Sequence, residues 1–243
     1  MKRKILILIS AILIFSSNLY SQVTLQVGGG LGMTAPSGNY AGLTIDFFNG
    51  THYGLESGFN MHAKARVGLL GLNLVGMIDY STLSGEGEGE QGQGEVKNSH
   101  SIFSLKAGPE FNISIPMFPL GFYLDAFLSM NTFSGTVSFQ GLTKVPSGDY
   151  DIESATRFGA GGGGGILIDI LPVVTLDFGI HYNAYNAFTK EYSTDVSAPG
   201  RLEVYTSLND DKDPLYQVTE DNIVGESRAI NAWQYTLTVM VGI

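Results

Sequence analysis

The chain has 243 residues, no cysteine, 13 Lys+Arg against 23 Asp+Glu, and 32 glycines. A net charge of −10 argues against a nucleic-acid partner. Without cysteine there is no disulfide framework, so a core or a membrane must hold the fold, and the length suits one domain or one large barrel.

Lys2, Arg3 and Lys4 open the chain, residues 5–15 are almost unbroken apolar, and residues 16–21 are small and polar. This is the pattern of a secretory signal peptide, with cleavage expected between Ser21 and Gln22 and the mature domain at 22–243. The apolar run is short for the roughly 20 residues that a membrane-spanning helix needs. Removing the three basic residues leaves ten against 23 acidic ones, a net charge of −13 for the mature chain.

Beyond the leader, apolar and polar residues alternate with a period of two in eight segments, the pattern of strands with one apolar and one polar face. Val23, Leu25, Val27 and Leu31 open the series. Next come Tyr53, Leu55, Phe59, Met61 and Val67, with Glu56, His62, Lys64 and Arg66 opposite; then Leu70, Leu72, Leu74, Ile78 and Tyr80, with Asn73, Met77 and Asp79 opposite. Phe103, Leu105, Phe111 and Ile113 oppose Lys106 and Glu110; Phe122, Leu124, Leu128 and Met130 oppose Asp125. In the sixth segment, Phe158, Ile166, Ile168 and Ile170 oppose Arg157 and Asp169. Leu176, Phe178, Ile180 and Tyr182 oppose Asp177 and His181, and Trp233, Tyr235, Leu237, Val239, Val241 and Ile243 oppose Gln234, Thr236 and Thr238.

The sixth segment contains Gly159–Gly164, which satisfies the dinucleotide fingerprint G-x-G-x-x-G. That motif needs a buried strand before it and a helix after it. Here Ser154-Ala155-Thr156-Arg157 precedes, a β-branched run ending at Pro172 follows, and no Walker lysine appears. The glycines therefore read as strand, leaving inner space for long side chains from across a narrow lumen and permitting bending.

The connections alternate in length. Short turns are expected at 65–68, 115–119 and 171–173, and long loops at 34–52, 85–98, 139–153 and 189–228. Transmembrane barrels place short turns in the periplasm and long loops outside. The expected fold is all-β, an eight-stranded antiparallel up-and-down transmembrane β-barrel with both termini periplasmic. A soluble eight-stranded barrel would carry its charges outside along its whole length; here one face holds most of them. Aromatics gather near strand ends, with Tyr53, Tyr80, Phe158, Tyr182, Trp233 and Tyr235 at one end and Phe111 and Phe122 at the other, like two interfacial girdles. Pro109 falls mid-strand on the lipid face, and a bulge is expected there.

The architecture resembles the small outer-membrane barrels of the OmpA-transmembrane-domain and OmpX type, over the whole mature chain but without a shared motif. The last strand resembles the C-terminal strand that barrel-assembly machinery recognises, although Ile243 stands where the pattern prefers Phe. The resemblance implies export to the bacterial outer membrane and contact with its lipid; no peptidoglycan-binding domain is expected after the last strand, and a monomer is expected.

Eight strands leave an interior just wide enough for side chains to fill. The inward charges expected are Glu56, Lys64, Arg66, Lys106, Glu110, Asp125, Arg157, Asp169, Asp177 and His181. Folding about the short turns sets Glu110 opposite Asp125 and Asp169 near Asp177, with Lys64 and Arg66 to neutralise them. A cross-linked plug is the first reading, and a narrow diffusion pore the alternative. A lipid-modifying enzyme would need Ser and His together at the rim; His52 and His100 with Ser99 and Ser101 form only a loose set. No cofactor or metal-ligand spacing appears. GEGEGEQGQG at 85–94 is expected as a disordered or solvated acidic loop, and Asn209–Asp213 as a charged loop tip open to divalent-ion binding. Residues 189–228 are long for a structureless connection, and an extracellular ligand on the loops is expected.

Overall fold

A computed structural model describes residues 23–69, 71–90, 92–194, 200–217 and 221–242. The leader at 1–21, Leu70 and Ile243 lie outside the described residues. Strands β1 (Val23–Ser37), β2 (Gly58–Leu69), β3 (Leu72–Glu90), β4 (Gln93–Ser114), β5 (Leu120–Gln140), β6 (Gly148–Leu171), β7 (Val174–Ala184) and β8 (Asn231–Gly242) form a closed antiparallel barrel. Each strand pairs with the next, and β8 returns to β1 through pairs such as Leu31↔Leu237 and Ala35↔Trp233. A short helix α1 (Thr44–Phe48) lies in the first loop and another, α2 (Arg201–Tyr205), in the last.

The polarity of the wall changes with height. In its lower part the outward face is apolar: Phe103, Leu105, Phe111 and Ile113 on β4, and Leu237, Val239 and Val241 on β8, are exposed. From Phe103 to Ile113 this belt runs ~33 Å along the strand, or ~25 Å across a membrane at a strand tilt of about 40°. Tyr80, Phe158, Trp233 and Tyr235 mark its upper rim and Phe111 and Phe122 its lower one, all exposed. Inside the same stretch lie Lys64, Arg66, Lys106 and Glu110, all buried.

Above the belt the pattern inverts. On β5 the outward residues become Thr132, Ser134, Thr136 and Ser138, while Phe133, Val137 and Phe139 turn inward and are buried. On β4 the outward residues become Ser101, Ser99, Lys97 and Glu95. An apolar core fills this upper part. Leu83, Ile102 and Phe133 pack with Tyr40 and Tyr53 of the first loop and Leu208 of the last. Val96, Val137 and Phe139 pack with Phe47, Phe48 and Tyr205. Each such side chain contributes about 1.5–3 kcal/mol by leaving water, so water outside and lipid outside select opposite faces of one continuous strand.

Several expectations are corrected. GEGEGE is strand, not disordered loop: β3 runs to Glu90 and β4 starts at Gln93. Its period is two, with Gly85 and Gly89 buried and Glu86 and Glu88 exposed. The glycines admit the first loop; a Cβ on Gly87 would lie 2.5 Å from Thr44 Oγ1. The expected loop at 139–153 shrinks to 141–147 for the same reason. Residues 65–68 belong to β2, since pairing continues to Leu69↔Leu72. Gly68 is small because Asn73 presses on it; its Cβ would lie 1.5 Å from Asn73 Oδ1. Pro109 makes no bulge. The register from Ala107↔Leu128 resumes unshifted at Glu110↔Asp125, and the register shifts lie at Phe133/Gly135 and Asp169/Leu171. Tyr53 is not a girdle residue but wholly buried in the upper core.

Candidate functional site

Alternation on β2, β4 and β7 aims Lys64, Arg66, Glu110 and Asp177 at one level of the lumen. Lys64 Nζ is 2.7 Å from Asp177 Oδ2 and 3.3 Å from Glu110 Oε2. The Arg66 guanidinium bonds both Glu110 oxygens and reaches Asp177 Oδ2 at 3.1 Å. Asn73 donates to Glu110 Oε1 at 3.0 Å, and Gln26 accepts from Arg66 Nη1 at 2.7 Å. Two cations thus meet two carboxylates with their charges matched, the arrangement that burial requires.

The glycine run builds the wall beside this quartet. A Cβ on Gly165 would lie 2.5 Å from the Tyr123 ring, one on Gly161 2.5 Å from Phe127, and one on Gly163 2.8 Å from His181. The rings of β5 and β7 therefore pack directly against the β6 glycines. The space serves adjacent strands rather than side chains from across the lumen. Tyr123 in turn presents its face to Lys64, whose Nζ is 4.3 Å from the ring centroid.

A second tier stands above. Lys106 Nζ is 2.9 Å from Asp79 Oδ2 and 2.6 Å from Gln234 Oε1, and Gln234 Nε2 donates to Asp79 at 2.8 Å. His181 Nε2 is 3.0 Å from Asp125 Oδ2. His62 joins Thr238 at 2.8 Å and Asn60 at 3.1 Å.

The third tier is the last loop folded into the mouth. Arg157 Nη2 is 2.7 Å from Asp210 Oδ1 and its Nη1 2.8 Å from Glu191. Asp210 is wholly buried and also takes Asn186 Nδ2 at 2.7 Å. Arg228 donates to the Asn209 carbonyl at 2.6 Å and lies over the Tyr53 ring at 4.1 Å. Asp213, also buried, accepts from Tyr192 at 2.9 Å and Asn222 at 2.6 Å. Above the belt, burial first and Arg228 second push His100 down to about 3, while burial raises Tyr40 and Tyr53.

Of the ten charges expected inside, the structure brings Lys64, Arg66, Glu110 and Asp177 together and gives Lys106, Asp125, Arg157 and His181 separate partners. The other two of the ten are corrected. Glu56 is exposed in the loop before β2, because β2 begins only at Gly58. Asp169 is exposed at the lower rim, where Thr175 donates to it at 2.6 Å. Nor do Lys64 and Arg66 serve Asp125, which His181 takes. The Asn209–Asp213 stretch is no exposed tip: Asn209, Asp210 and Asp213 are buried by side-chain and backbone donors, and no metal-binding group of carboxylates or histidines is found among the described residues. Asp79 and Gln234 were missed as network members although both share the polar parity of their strands. Arg228 and Asp210 carried no such signal, since loop residues have no face.

No family model matches the chain, and no curated protein matches it. Among solved structures, a major outer membrane protein from Thermus thermophilus aligns over 91% of this chain and 100% of its own, with TM-score 0.50 and 12% identity. The chain has the fold of an outer-membrane β-barrel. Neisserial surface protein A aligns over 90% of this chain and 95% of its own, with TM-score 0.46 and 16% identity. Ail of Yersinia pestis aligns over 90% and 97%, with TM-score 0.42 and 12% identity. In this fold an apolar belt surrounds the lower wall and salt bridges fill the lumen within it.

Proposed function

We propose that this barrel is a closed stand in the bacterial outer membrane and that its upper part, a water-exposed head, is a binding module. The inversion of polarity above Phe103 carries the reading. A pore needs a wetted mouth, whereas here the first and last loops fill the mouth with Phe47, Phe48, Tyr53, Tyr205 and Leu208. Binding surfaces held on a rigid scaffold are a common use of such loops.

A narrow pore has one observation in its favour, a cavity of about 390 Å³ at the lower end lined by Gln26, Asn112, Asp169 and Thr175. Arg66 roofs it, locked to Glu110. At the upper rim the serines and the histidine that an enzyme would use do not meet. Ser99 and Ser101 face outward while His100 is buried inward, 3.3 Å from Tyr40.

Hydrogen exchange in lipid nanodiscs tests the closed mouth. The amides of Tyr53, Asp213 and Arg228, which bond Asn39, Val224 and Asp210 carbonyls, should stay protected for hours. Exchange within seconds there would mean that the loops are open lids, and would return the pore to first place.

A further inference from the structure

The four strands β3–β6 rise above the belt as a sheet with two edges, and the edges are treated differently. Along β3, the first loop supplies partners: Glu56 N–H donates to the Ser84 carbonyl at 3.0 Å, and Thr44 Oγ1 to that of Glu88 at 2.9 Å. Along β6, pairing with β7 begins only at Ala160↔Ala184. Above that point the last loop takes Glu153 N–H through the Thr206 carbonyl at 2.7 Å and bonds Phe158. Among the described residues, no strand lies against Gly148–Ile152 on that side.

Five residues of open strand span ~16 Å. Exposed edges are normally shortened, covered or charged. This one carries Asp149 and Asp151, with Glu153 just below it, all exposed. The register partners of the two aspartates on β5 are the neutral Ser138 and Thr136. Lys97, on the same outward face, is already 2.8 Å from Glu86. A second copy of the chain is a poor occupant, because edge-to-edge pairing would set these carboxylates against each other.

Building on the reading of the head as a binding module, we infer that the upper edge of β6 takes an extended lysine- or arginine-rich segment of another protein. The edge backbone groups, which face no strand among the described residues, supply strand pairing, and the acidic side chains supply charge complementarity.

The test uses the full mature barrel in neutral-lipid nanodiscs and a labelled, end-capped octapeptide of alternating lysine and threonine. Saturable binding that weakens with salt is expected. The D149N/D151N/E153Q variant should bind about tenfold more weakly, from three exposed ion pairs. Removing two carboxylates of the last loop, as E203Q/E226Q, should change affinity by no more than about twofold. Backbone N-methylation on alternate peptide residues should abolish binding. Trp233 fluorescence reports whether each variant has folded.

Absence of saturable binding would overturn the inference, as would equal binding of a glutamate–threonine peptide or of the N-methylated one. An equal loss in E203Q/E226Q would assign binding to general charge and also overturn it. So would dimerisation of D149N/D151N/E153Q with no peptide binding by the wild type, which would make the carboxylates guards against self-pairing. Any of these results beside a protected mouth leaves the closed stand intact and removes only this edge.

Discussion

Replacing Arg66 by Met tests the lumen quartet directly. The substitution keeps much of the side-chain length and removes the charge. Glu110 then retains only Asn73 at 3.0 Å and Lys64 at 3.3 Å, and Lys64 must also serve Asp177 at 2.7 Å. One buried carboxylate is left without a matching cation. Breaking a buried pair from one side costs about 3–5 kcal/mol, and sharing of Lys64 argues for the lower end, about 3. With a urea slope of about 2 kcal/mol/M, the unfolding midpoint should fall by ~1.5 M. Trp233 is the chain's single tryptophan and sits exposed at the belt's upper rim, so its fluorescence in lipid vesicles follows the transition. The R66M/E110Q double variant restores the charge balance through Lys64 and Asp177, and should recover at least half of the loss. An R66M midpoint equal to wild type, or a double variant less stable than R66M, would refute the quartet as the element that closes the lumen.

The buried His100 should make the head sensitive to acid. Its folded value of about 3 lies below the ordinary 6.5, so the unfolded chain binds the extra proton between those limits. Stability should therefore fall as pH drops from about 6.5 toward 3, by about 1.4 kcal/mol per pH unit; urea midpoints at pH 7.5 and 5 should differ less in H100N than in wild type. G165A should lower the urea midpoint by the equivalent of about 1–3 kcal/mol by driving a methyl into the Tyr123 ring, whereas G200A, with nothing among the described residues within 4 Å of its Cβ, should leave it unchanged. An epitope inserted after Lys144 should be reached by antibody on intact cells and one inserted after Met117 should not; the reverse labelling would invert the topology.

The eight strands were legible because a lipid-facing belt forces strict alternation, as on β8 from Trp233 to Val241. The lumen residues followed from the same parity, which is why Lys64, Arg66, Glu110 and Asp177 could be named together. The head was not legible as such. Glu86 and Glu88 alternate with glycines as regularly as Leu237 and Val239 alternate with threonines, but acidity and glycine content read as disorder when apolar residues were taken as the sign of a strand. The partner of the glycine face, Thr44 and its loop, is set by tertiary packing that no local period encodes. Asp210 shows the same limit: five polar residues in a row look solvated until Arg157, Asn186 and Arg228 arrive from distant parts of the chain.

Planar-bilayer recording of the purified, refolded barrel tests the closed lumen most directly. The wild type should show no single-channel openings, and R66M/E110Q should show none either, because the filled mouth and the tiers above the quartet remain. Steady openings of the wild-type protein, abolished by substitution of Lys106 or Arg157, would contradict the closed stand and establish a pore.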